Sequence, residues 1–124
     1  MLMFQTLWKL VFWFGVIAVC GVSLVPQQYF SQTGILDKWQ HVAAYFVLMA
    51  ASYPAYSRSG WRSEIGIGIG LCVLGAALEV AESYFPDRVM SMADAFANTA
   101  GILLAILAFR IVTKLLHRFG TSDA

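Results

Sequence analysis

Apolar residues run along this chain in four long stretches, approximately Leu7 to Val25, Trp39 to Tyr56, Ile65 to Phe85 and Met92 to Val112. Each is near the ~20 residues that a helix needs to cross the hydrocarbon layer of a bilayer. The breaks between them carry the residues that end helices: Pro26 with Gln27, Gln28 and Gly34, then Ser57 to Ser63 around Gly60, then Pro86 with Asp87. Breaks this short make successive helices antiparallel. The pattern predicts an all-α fold, an integral membrane four-helix bundle that forms one domain over residues 1–124.

The first stretch has a second reading as a cleaved signal peptide, because Lys9 precedes an apolar run. The run is long and no small-x-small site precedes Pro26, so a retained helix is expected. Val19 stands before Cys20 where a lipid-attachment site wants a small residue, and that reading is set aside.

Composition adds the solvent. The chain is 60% hydrophobic and 12% charged, with a mean hydropathy of +0.71. A soluble domain of this size leaves too much surface in water to hide such a share. The formal charge of +1, with scattered bases, excludes the basic face of a nucleic-acid binder. Cys20 and Cys72 lie inside apolar runs, as small core residues do, and imply no disulfide framework.

Basic residues set the expected orientation. With the N-terminus in the cytoplasm, that side of the cell membrane holds Lys9, Arg58, Arg62, Arg110, Lys114 and Arg118, and the outer side only Lys38 and Arg88. Both termini are then cytoplasmic. Asp37, Glu79, Glu82, Asp87 and Asp94 fall outside, and Tyr29, Trp39 and Tyr84 mark the outer interface against Trp8, Tyr56 and Trp61 at the inner one.

Membrane helices associate through close backbone packing and interhelical hydrogen bonds. Ala93, Ala97, Gly101 and Ala105, and Gly66 with Gly70, are the expected contact seams. Gly66 to Gly70 is not a phosphate loop, since it lies inside an apolar run with no Lys-Ser or Lys-Thr pair after it.

The polar residues form a constellation. Asp37, His41 and Tyr45 are four apart and share a helix face, with Lys38 at its edge; Glu79 and Glu82 share another, and Asp94 and Asn98 a third. Antiparallel helices bring all three sets to one level, within about two turns or roughly 10 Å of the outer boundary. An ionisable residue costs about 2.5–3.5 kcal/mol at mid-bilayer, less when such groups face one another. Asp37, Glu79, Glu82 and Asp94 outnumber Lys38 and Arg88, so a protonated carboxyl, a charged His41 or a bound cation is expected.

Plainer roles compete. Asp37 with Gln40 reads as an N-cap and its partner, and Ser91 with Asp94 as a capping box. Lys38 and Arg88 are long enough to snorkel to headgroups. His41 and Tyr45 taken singly would be interior packing. Glu79 lies about a turn and a half before Tyr84 and no capping role is open to it, so an interior polar role is expected.

The order Asp37-Lys38-x-x-His41-x-x-x-Tyr45, Glu79-x-x-Glu82, Pro86-x-Arg88, Asp94-x-x-x-Asn98-x-x-Gly101 resembles the VanZ-like family, named for a glycopeptide (teicoplanin) resistance protein. The match runs from Asp37 to Gly101, about half the chain. The resemblance implies that Asp37, Lys38, His41, Glu79, Arg88, Asp94 and Asn98 form a polar signature, that the role is in the cell envelope, and that glycopeptide susceptibility is lowered in some members. Glu82 stands where the family pattern usually has glutamine, which adds a negative charge to the layer.

Three functions are open to such a chain. It binds an envelope lipid or glycopeptide at the outer leaflet without chemistry. Or it is an intramembrane enzyme on a lipid-linked substrate, using His41 and the carboxylates for acid–base work or to hold a divalent metal at the His41, Glu79 and Asp94 layer. No His-Glu-x-x-His spacing supports the metal form, no Ser or Cys stands beside His41 as a nucleophile, and no cofactor is expected. Or it is a proton-linked carrier or structural partner, enlarged by homo-oligomerisation, although no inverted repeat of the carrier kind is present.

Overall fold

The computed structural model describes residues 1–25, 35–56, 60–85 and 90–120, with the backbone alone at 35–37. Every regular element among them is helical: α1 Leu2–Ser23, α2 Ile35–Tyr56, α3 Gly60–Glu82 and α4 Met92–Gly120. The helices start and stop differently from the apolar runs, because backbone hydrogen bonding does not follow hydropathy at the ends. α1 and α3 each begin five residues early, α3 on Gly60, whose φ of 70° is open to glycine without strain. α3 ends at Glu82, and Tyr84 and Phe85 donate three residues back, to Ala81 and Glu82, in a tightened last turn. α4 runs on past Val112 through Lys114, His117 and Arg118, with no proline or glycine to stop it before Gly120. α2 starts at Ile35, which puts Asp37 inside its first turn; Asp37 is not the N-cap that its spacing to Gln40 suggested.

α1, α3 and α4 are long and apolar enough to cross a membrane. α2 has 22 residues, as many as α1, but opens with Asp37, Lys38, Gln40 and His41 and does not reach the same hydropathy. Its polarity goes with its place in the packing. α2 lies most extensively against α4 and next against α1, while α3 packs on α4 and α2. Its residues Tyr45, Leu48, Met49, Ala51, Ser52 and Ala55 are buried, whereas Phe12 is the buried residue of α1. The outward surface is apolar, with Phe14 75%, Phe96 69% and Leu116 66% exposed. α1 runs antiparallel to α2: Trp13 Nε1 donates to Tyr56 Oη at 3.0 Å, and the Phe12 ring meets Tyr56 edge-on at 6.0 Å. The start of α1 and the end of α4 therefore lie at the same end of the molecule.

The α4 seam is there, apart from its first member. Ala97, Gly101 and Ala105 are buried and Ala93 is exposed. The α3 seam is not the expected one. Gly66 and Gly70 face outward with nothing near where a Cβ would stand, and the inner face carries Gly68, Leu71, Gly75 and Glu79. Two residues of helix turn a side chain through about 200°, so one stripe excludes the other. Enclosing Glu79, the residue most costly to expose to an apolar solvent, selects the stripe that wins. Gly66→Ala and Gly70→Ala are each expected to raise stability by about 0.5–1 kcal/mol, since a glycine in a helix interior is disfavoured by that much. Thermal unfolding in detergent measures this, and a loss of stability would reveal a partner on that face.

Candidate functional site

The site begins with how α4 starts. Ser91 precedes the first turn, and its Oγ accepts the Asp94 N–H at 3.3 Å, the first half of a capping box. In the usual box the acid three residues on returns the favour to the serine N–H. Here Glu79 from α3 does so instead: the Ser91 N–H donates to Glu79 Oε2 at 3.1 Å. Glu79 thus has a capping role after all, on a neighbouring helix, which its spacing within α3 could not reveal. Asp94 is left to face α2.

From α2, the Lys38 ammonium reaches Asp94 Oδ1 and, at 3.3 Å, Ser91 Oγ. One turn further, His41 Nδ1 lies 2.9 Å from Asn98 Oδ1, and His41 Nε2 lies 3.9 Å from Asp94 Oδ2. With the amide oxygen as acceptor, Nδ1 carries the hydrogen, and in the neutral ring Nε2 then holds the lone pair. One donor atom each from His41, Glu79 and Asp94 all lie within 4.8 Å of one another. Glu79 and Asn98 are 3% exposed and Asp94 8%, so two carboxylates and an amide are enclosed.

Beneath this layer Tyr45 is buried, and Gly75 on α3 makes room for it. A Cβ at Gly75 would stand 3.1 Å from Tyr45 Oη and 2.8 Å from Asn98 Nδ2. Glycine there lets Asn98 lie where it reaches His41. Glu82 is half-buried, about one turn beyond Glu79. Arg88 lies outside the described residues, and so does the Asp37 side chain.

A second polar cluster sits at the other end of the same three helices, and the basic-residue pattern concealed it. Glu64 of α3 accepts from Tyr53 Oη of α2 at 2.6 Å and from the Arg110 guanidinium of α4 at 2.5 Å. Tyr53 stacks on Phe109, with ring centroids 3.6 Å apart. Ser52, Trp61, Ile67 and Thr113 help enclose a cleft of about 250 Å³ beside it. The available signal was an acid directly before the apolar run at Ile65, at an end otherwise rich in bases.

No family model matches the chain, and neither a curated protein nor a solved structure matches it. The chemistry of the site is what its own groups allow. An imidazole with a fixed tautomer beside two enclosed carboxylates and an ammonium can accept and return a proton, hold a cation, or hydrogen-bond a charged headgroup.

Proposed function

We propose that this chain is a VanZ-like multi-pass membrane protein of the cell envelope that holds the polar head of an envelope amphiphile, lipid or glycopeptide, at its Lys38, His41, Glu79 and Asp94 cluster. The observation that carries the reading is convergence: three helices each contribute charged or titratable groups to one enclosed layer, where stability alone would favour apolar residues. The ordered motifs from Asp37 to Gly101 that resemble the VanZ-like family support the envelope assignment.

α2 serves as the fourth span, with Lys38 and His41 of its polar start turned to Asp94 and Asn98 of α4. Two polar clusters support this placement. Tyr53, Glu64 and Arg110 lie 12, 15 and 16 residues, or about 18 to 24 Å, along their helices from His41, Glu79 and Asp94 respectively. Leu48, Met49, Leu71 and Ile102 fill the space between as apolar core. That interval fits inside a hydrocarbon layer ~30 Å thick, with each cluster near an interface. Six of the eight bases then lie on the cytoplasmic side with both termini, and the His41 layer faces outward.

Native mass spectrometry of the full chain from membranes is the test. The wild type is expected to retain an envelope lipid, or to bind added glycopeptide, and Glu79→Gln to lose it at least tenfold while remaining folded. Wild type that holds neither overturns the reading. The 3.9 Å approach of His41 Nε2 to Asp94 favours one second reading, an intramembrane acid–base or metal-assisted enzyme acting on a lipid-linked substrate. A product released from the retained lipid would select it.

A further inference from the structure

We infer that His41 Nε2, Glu79 and Asp94 together hold one divalent cation of the zinc class. This deepens the amphiphile reading and rests on the same cluster.

Three independent features point the same way. The first is the donor set: one imidazole nitrogen and two carboxylate oxygens, from α2, α3 and α4, all within 4.8 Å of one another. A tetrahedral zinc ion with ligands at ~2.0–2.1 Å has its donors ~3.3 Å apart, so closure needs a contraction of about 1.5 Å at most. Side-chain rotation supplies this without moving a helix.

The second is orientation. Histidine ligands typically donate their other ring N–H to an oxygen that fixes the tautomer. His41 Nδ1 meets Asn98 Oδ1 at 2.9 Å, which directs the Nε2 lone pair toward the carboxylates. Asn98 is itself 3% exposed and packed over Gly75, so this outer support is built in.

The third is how the carboxylate oxygens are divided. Asp94 gives Oδ1 to Lys38 and turns Oδ2 to the imidazole; Glu79 gives Oε2 to the Ser91 N–H and keeps a second oxygen. Each acid is anchored by one oxygen and has another with which to ligate. Three protein donors leave a tetrahedral ion one further position, open to an oxygen from outside the protein.

The test uses the full chain purified in detergent without chelator, analysed for metal, then stripped and titrated with cobalt(II). One ion per chain and the visible ligand-field bands of tetrahedral cobalt are expected. His41→Ala and Glu79→Gln should each weaken cobalt binding at least tenfold, and Asn98→Ala, which touches only the supporting bond, by about 10- to 100-fold. Lys38→Met should tighten it, because a competing positive charge leaves; a merely structural role for the cluster predicts no such gain. Glu79→Gln keeps an acceptor for the Ser91 N–H and serves as the folded control. A wild-type chain that carries no metal and gives no cobalt bands, or variants that bind as wild type does, overturns the inference. An ion-free chain that still retains its amphiphile overturns the ion alone, and an ion-loaded chain that retains no amphiphile overturns the amphiphile reading alone.

Discussion

Gly101→Ala is expected to cost about 3 kcal/mol of stability, the largest effect of a glycine-to-alanine change among the described glycines. A Cβ at Gly101 would run into the Val42 carbonyl oxygen and stand 3.0 Å from the Phe46 amide nitrogen. Both are main-chain atoms inside α2, so no rotamer relieves the contact and the two helices must part. Inserted methyl groups usually cost about 1–3 kcal/mol, and a rigid backbone neighbour puts this one at the upper end even after the gain of replacing a helical glycine. The damage also reaches the site. Val42 follows His41, and Asn98 and Asp94 lie one and two turns before Gly101, so widening α2 from α4 lengthens the His41 to Asn98 bond. Stability in detergent and retention of the proposed amphiphile should therefore fall together. A Gly101→Ala chain as stable as wild type would mean that α2 and α4 are not packed this closely.

The contrast between Gly101 and Gly66 shows where sequence reading runs out. Both lie in small-residue repeats with the same four-residue step, and spacing alone cannot tell which stripe of a helix meets a neighbour. What decides is the acid enclosed within the apolar run: Glu79 carries Gly68 and Gly75 inward and leaves Gly66 and Gly70 outside. The four helices were legible because apolar run length is a strong signal, while their ends were not, since backbone hydrogen bonding does not follow hydropathy: it extends to Leu2, Gly60 and Gly120 and stops at Glu82, short of Phe85. His41, Glu79, Asp94 and Asn98 could be singled out because polar groups in apolar runs are conspicuous. Their partners could not be: Ser91 to Glu79 and Tyr53 to Glu64 join residues 12 and 11 apart on different helices, and no helical period links them. Gly75 was invisible for the same reason, because its value is the space it leaves for Tyr45 and Asn98.

Glu79 is where stability and function separate most cleanly, and two substitutions there should give opposite results. Glu79→Ala removes the acceptor of the Ser91 N–H at the start of α4 and leaves a gap between α3 and α4. Loss of a helix cap costs about 0.5–2 kcal/mol, and an unsatisfied enclosed donor about 1–3 kcal/mol, so the two descriptions of this one bond converge on a loss near 2 kcal/mol. Hydrogen exchange should locate the damage, with faster exchange in the first turn of α4 around Asp94 and little change near Arg110. Glu79→Gln keeps the shape and an amide oxygen at the same place, so its stability should stay within about 0.5 kcal/mol of wild type, in the range of substitutions that break no interaction. It nevertheless removes a charge from the cluster and should abolish ligand retention. If instead both variants lose stability alike, the carboxylate charge rather than its hydrogen bond is what the fold needs. If both retain the ligand, Glu79 acts only as the cap of α4, and the cluster's working groups reduce to those between α2 and α4.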